Sequence, residues 1–138
     1  MNKFFQFKDL YTKALDFYEI KAYLSSLAHL NEALSFELPL SEIRLSEAFE
    51  LRGLVKMQLK QYLSSIIDFN KAIELNPENE SIYYYRYLAH SVLSQYEEAI
   101  EDCKKLIALE PDNESHQKNL TSLEELLKLN RRFKKLKE

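Results

Sequence analysis

The sequence predicts an all-α fold assembled from repeated helical hairpins, and three observations predict it. The first is an internal repeat. "YEEAIEDCKKLIALEPDN" (Tyr96 to Asn113) falls on "YLSSIIDFNKAIELNPEN" (Tyr62 to Asn79) at a shift of 34 residues, with the Tyr, Ile, Asp, Lys, Leu, Pro and Asn positions coinciding. The second is the length of that period, which suits one helix-turn-helix unit stacked on the next. The third is the scarcity of helix breakers. The 138 residues hold one Gly and three Pro, in a composition that is 46% hydrophobic and 30% charged, which favours long helices with short links.

Taken in chain order, apolar spacing and punctuation predict seven helices. A first pair spans 3–20 and 23–36. Its second helix matches the next copy at a shift of 39, where Tyr23, Leu24, Ser25, Ser26 and Ala33 fall on Tyr62, Leu63, Ser64, Ser65 and Ala72. The five additional residues lie in "ELPLSEIRL", and they imply a longer link or an extra helical turn near Ser41. A second pair spans 42–59 and 62–75, and a third spans 80–94 and 96–109. Pro77 and Pro111 close the second and third pairs, because the residue before a proline avoids the α region. Asn79 and Asn113 then stand where helix N-caps are needed. A last, unpaired helix spans 115–136. Leu120, Leu123 and Leu127 share one of its faces, and Leu126, Leu129, Phe133 and Leu136 share a roughly opposite one. The first stripe suits a cap over the last repeat; the second is an expected self-association surface, and homodimerisation through it is carried as an expectation.

Small residues at Ser65, Ala72 and Ala99 allow close helix approach, and Phe49, Phe69, Tyr83 and Tyr96 fill the spaces between. These residues resemble the tetratricopeptide repeat family over about 7–113. Phe49, Gly53, Leu59, Tyr62, Ser65, Phe69, Ala72, Leu75 and Pro77 occupy its signature slots in the second copy. Tyr83, Tyr87, Leu93, Tyr96, Ala99, Cys103, Leu106, Leu109 and Pro111 do so in the third, and Leu10, Ala14, Ile20, Tyr23, Ser26, Leu30, Ala33 and Phe36 in the first. Tyr87 departs from a slot that is usually Gly or Ala, and the expectation is that it pushes its helices apart or bends them. The resemblance implies a right-handed α-solenoid forming a single domain over 1–138, with repeats at 7–40, 46–79 and 80–113 and the capping helix at 115–136.

It also implies that the first helix of each repeat lines a concave, peptide-binding groove. That groove would present Tyr11, Leu15 and Tyr18, then Glu50, Leu51, Leu54 and Met57, then Tyr84, Tyr85 and Leu88, with Phe4, Lys8, Glu47 and Ser81 on the same rows. Family members that hold chaperone C-terminal carboxylates use Lys, Asn and Arg at slots filled here by Tyr11, Leu15, Leu51, Ser81 and Tyr85. No carboxylate-clamp capture of chaperone C-termini is therefore expected. An aromatic and aliphatic groove suits a peptide or amphipathic helix.

Catalysis needs converging groups, and the sequence assembles none. His29, His90 and His116 lie in separate helices without metal-ligand spacing, and no phosphate loop or nucleophile elbow is present. Cys103 takes a core slot and reads as a buried, inert thiol. As the lone cysteine it forms no internal disulfide, which fits a reducing, cytoplasmic setting. Arg52 and Arg86 occupy matching slots and are placed to pair with Asp68 and Asp102, as exposed salt bridges contributing roughly 0–1 kcal/mol each. Net charge is −3, too small to imply a polyanionic partner. "RRFKKLK" (Arg131 to Lys137) is basic, but basic residues at a helix C-terminus also answer the macrodipole. The sequence thus points to a non-enzymatic protein-interaction module, adaptor or chaperone-like, with a protein or peptide ligand and no cofactor. The competing readings are a fixed subunit of a larger complex and an accessory protein that binds nucleic acid or membrane through its basic tail.

Overall fold

The computed structural model describes residues 2–138, and every regular element among them is an α-helix. These are α1 (Lys3–Glu19), α2 (Tyr23–Leu34), α3 (Glu42–Gln58), α4 (Tyr62–Leu75), α5 (Glu80–Val92), α6 (Tyr96–Leu109) and α7 (Glu114–Lys137). Each lies within two residues of the span the sequence predicts. The chain divides into two compact units, one running to Pro77 and the other from Glu78 to Glu138.

In the first unit α1 pairs with α2, α3 pairs with α4, and α2 also packs on α3. Asn2 starts α1 by accepting the Phe4 N–H at 2.8 Å. Ala14, Leu30, Leu51 and Val55 form one buried cluster, and Phe7, Ala33 and Ala48 form another. Buried hydroxyls tie the helices together without orphaning a polar atom. Ser26 Oγ donates to the Ala14 carbonyl at 2.7 Å, and Ser46 Oγ donates to the Ala72 carbonyl at 2.9 Å. The five additional residues are shared between link and helix. The segment Ser35–Ser41 is a longer connection whose Leu38 and Leu40 pack on the second cluster. Beyond it, α3 has 17 residues where α5 has 13, so α3 gains a turn at its N-terminus.

In the second unit α5 pairs with α6, and α7 packs on α6. Asn79 and Asn113 cap α5 and α7, each side chain accepting an N–H two residues on at 3.1 Å. Leu120 and Leu123 are buried, so one stripe of α7 does cover the repeat before it. The turns inside the three hairpins share one device. Lys21, Lys60 and Ser94 have φ of 60°, 59° and 57°, the left-handed conformation that usually falls to glycine.

Tyr87 does not splay its hairpin as expected. It is buried in a 13-residue helix that still pairs with α6. The facing slot explains this. In α3–α4 the bare Gly53 backbone meets Phe69, whose ring carbon lies 2.6 Å from where a Cβ on Gly53 would sit. In α5–α6 the large residue has changed sides, and the slot of Phe69 holds the small Cys103, fully buried. The bulky ring and the small residue have exchanged helices, which leaves room for the ring in both hairpins. Burial pushes the Cys103 thiol up to about 11, helped by Asp102, so at neutral pH it is a protonated, inert group. Burial likewise pushes the Tyr87 phenol up to about 12, with Tyr84 and Cys103 adding to it.

The two arginine pairs form, but their carboxylates are buried and their arginines half-buried rather than exposed. Asp68 is 1% and Asp102 2% exposed. Arg52 grips Asp68 through Nε at 2.9 Å and an Nη at 2.8 Å. Arg86 grips Asp102 through Nε at 2.9 Å and an Nη at 2.6 Å. Asp68 also meets Lys56 Nζ at 2.8 Å. Each carboxylate stands on the second helix of its hairpin and its arginine on the first, and sequence spacing gives that pairing but not the depth of the carboxylate.

Candidate peptide-binding surfaces

The residues expected to line a groove fall on both units. On α1, Leu15 is exposed and Tyr11 and Tyr18 are half-buried. On α3, Glu50, Leu54 and Met57 are half-buried. Leu51 is not a wall residue. It is 5% exposed and belongs to the cluster with Ala14, Leu30 and Val55, because the small Ala14 on α1 leaves room for its side chain to sink inward. Tyr11 and Tyr18 pack against that same cluster, so their rings are anchored from below. The Tyr11 ring stacks on Phe7 at 6.2 Å. Burial raises its phenol, and Glu47 and Glu50 raise it further.

The first unit carries a recess of about 200 Å³ between the N-terminal halves of α1 and α3, lined by Phe4, Phe7, Lys8, Tyr11, Arg44 and Glu47. Arg44 lies over the Phe4 ring at 5.5 Å. Sequence rows find Phe4, Lys8, Tyr11 and Glu47. They miss Arg44, which sits on the extra turn that the insertion adds to α3.

On α5 of the second unit Tyr84 is 38% exposed, and Tyr85 and Leu88 are half-buried. Tyr84 meets Tyr85 edge-to-face at 5.4 Å, and Tyr87 at the same distance. Aromatic pairs of this geometry are favourable and hold Tyr84 upright on the surface. A cleft of about 260 Å³ beside them is lined by Glu80, Ser81, Tyr84, Tyr85, Leu106, Glu110, Asn113 and His116. His116 is 5% exposed, and its Nε2–H donates to the Glu110 carboxylate. That bond holds the Glu110 carboxyl below its ordinary range. Spacing gave no hint of this pair, because the two residues meet across the turn between α6 and α7.

The other histidines are structural. His90 bonds Gln95 through Nδ1 at 2.8 Å, and His29 bonds the Ser25 carbonyl at 2.7 Å. No group of three or more His, Cys, Asp or Glu side chains among the described residues is arranged to hold a metal. No helix among them is long and apolar enough to cross a membrane. On α7 the second stripe stands free of its own unit, from Leu126 at 43% to Leu136 at 82% exposed, with Leu129 and Phe133 between.

Stacked helical hairpins with buried small residues and aromatic first-helix faces define a repeat scaffold. Residues 46–79 and 88–113 match the tetratricopeptide repeat family model, and these two stretches are tetratricopeptide repeats. The fold of the chain is similar to the first such domain of Spaghetti (RPAP3), solved bound to the HSP90 peptide SRMEEVD, with a TM-score of 0.77 at 20% identity over 88% of this chain and 93% of that one. It is also similar to the second such domain of human RPAP3, solved in complex with the HSP70 peptide SGPTIEEVD, with a TM-score of 0.76 at 16% identity over 89% and 98% of the two chains. MamA gives a TM-score of 0.80 at 18% identity, over 89% of this chain and 64% of that one. No curated protein matches the sequence significantly.

Proposed function

We propose that this protein is a non-enzymatic interaction module, adaptor or chaperone-like, that binds a peptide or helix on the aromatic and aliphatic faces of α1, α3 and α5. The observation that carries the reading is the upright tyrosine cluster of α5, with Tyr84 exposed and braced by Tyr85 and Tyr87. Exposed aromatics fixed from below act as low-entropy anchors for a partner. The slots of the carboxylate clamp hold Tyr11, Leu15, Leu51, Ser81 and Tyr85, so the ligand is not a chaperone C-terminus gripped by its carboxylate. A cytoplasmic setting and a single-domain arrangement belong to this reading.

The test is a pull-down from native lysate at low and high salt, with the parent chain and a Leu54→Ala/Tyr84→Ala double variant of unchanged helicity. Partners that survive high salt and are lost with the double variant are the expected result. Partners that survive the double variant place the ligand elsewhere. Partners that vanish with salt alone move the function to the basic end of α7, since phosphate or headgroup contacts weaken steeply with ionic strength. A chain that captures nothing but sediments as a dimer moves it to self-association through Leu126, Leu129, Phe133 and Leu136.

A further inference from the structure

Two substitutions open the cleft on the second unit. At the corresponding end of α3–α4, Ser46 bonds the Ala72 carbonyl and draws the helices together. The residues 34 positions on are Glu80 and Leu106, both of which line the cleft. A carboxylate and a bulky leucine thus replace a close hydroxyl contact.

The chemistry of the lining has one sign. Glu80 and Glu110 supply carboxylates, Tyr84 and Tyr85 supply ring faces, and no Lys or Arg is among the lining residues. His116 closes the wall, with Nε2 bonded to the Glu110 carboxylate and a buried Nδ1 that has no hydrogen-bond partner. The N-termini of α5 and α7 each carry roughly half a positive charge, with one N–H of each capped by Asn79 or Asn113, which is less than the charge of the two carboxylates.

We infer that the cleft formed by Glu80, Tyr84, Tyr85, Glu110 and His116 binds the cationic side chain, lysine or arginine, of a peptide ligand. The carboxylates neutralise the charge, and the tyrosine faces accept it as a cation–π partner and carry the stem. The inference rests on the reading of the α5 face as a peptide surface and assigns the ligand's chemistry there.

The test is an NMR titration of the whole chain with N-acetyl-arginine amide and N-acetyl-lysine amide, with the corresponding glutamate and norleucine derivatives as controls. The cationic probes should give saturable shifts at Tyr84, Tyr85 and His116. Glu80→Gln and Glu110→Gln should each weaken them at least about threefold, the order of a solvent-accessible ion pair. Glu80 is exposed, so its variant stays informative if Glu110→Gln disturbs the α6–α7 turn. Equal shifts with norleucine or glutamate would overturn the cation assignment and leave the peptide reading intact. No shift with any probe would overturn the assignment too, and the Leu54/Tyr84 variant then decides the peptide reading by itself.

Discussion

Gly53 faces Phe69 across the α3–α4 hairpin, whereas Tyr87 and Cys103 hold the matching places in α5–α6. Asp68 is met by Arg52 and Lys56, whereas Arg86 is the cation paired with Asp102. Ser46 and Ala72 close one hairpin end, and Glu80 and Leu106 leave the other open. The two hairpins keep one register and one backbone plan, so the repeat constrains the backbone and leaves the residues at facing slots free to change together. That freedom leaves α5–α6 with an exposed Tyr84 and, together with α7, an acidic cleft.

The largest expected difference lies in the buried ion pairs. Arg86→Ala removes the cation paired with the buried Asp102 among the described residues, and losing one partner of a buried pair costs about 3–5 kcal/mol. Arg52→Ala leaves Lys56 on Asp68 at 2.8 Å. Its cost should be nearer that of lost charged hydrogen bonds, roughly 1.5–3 kcal/mol. Urea denaturation followed by helical circular dichroism measures both. An Arg52→Ala loss equal to or above that of Arg86→Ala would remove the asymmetry. The salt dependence should be slight for both, because the carboxylates are screened little when buried.

The next effect concerns the exchanged core volumes. Gly53→Ala drives a Cβ to within 2.6 Å of the Phe69 ring, and Phe69 is fully buried, so the ring has little room to retreat. Over-packing costs about 1–3 kcal/mol, against a helix-propensity gain of about 1 kcal/mol, and a net loss is expected. Cys103→Phe should likewise destabilise by about 1–3 kcal/mol, because Tyr87 already fills the space. The double variant Tyr87→Gly/Cys103→Phe rebuilds the α3–α4 arrangement in α5–α6 and should recover most of that loss. Simple addition of the two single losses would show that the residues do not share one volume.

What the sequence carried legibly is local. Pro77, Pro111, Asn79 and Asn113 announce their helix ends to the neighbouring residues, and all seven helices form where this punctuation and the apolar spacing place them. What it carried poorly depends on a second residue brought near by folding. Tyr87 looks disruptive until Cys103 is seen to stand in the facing slot. Leu51 reads as a wall residue until Ala14 is found beside it. Asp68 and Asp102 read as surface groups because spacing gives a partner but not a depth. His116 was unremarkable by spacing, since Glu110 reaches it only across a turn. The candidate site was legible as a row of positions on α1, α3 and α5. The acidic cleft was not, because α7 contributes to it from outside the repeat.

The smallest effect tests what the hairpins share. Lys60 turns α3 into α4, and Ser94 turns α5 into α6, each with φ near 60°. A side chain in this region crowds its own carbonyl, at about 1–2 kcal/mol, whereas glycine enters it freely but loses more entropy on folding, roughly 0.5–1 kcal/mol. The difference leaves Lys60→Gly and Ser94→Gly each stabilising by about 0.5 kcal/mol. Nothing in this balance depends on Gly53, Tyr87 or the ion pairs, so the two gains should be equal within error and should add in the double variant. Unequal gains in matched urea titrations would mean that the turns are strained to different degrees, and that the difference between the hairpins reaches the backbone rather than ending at the side chains.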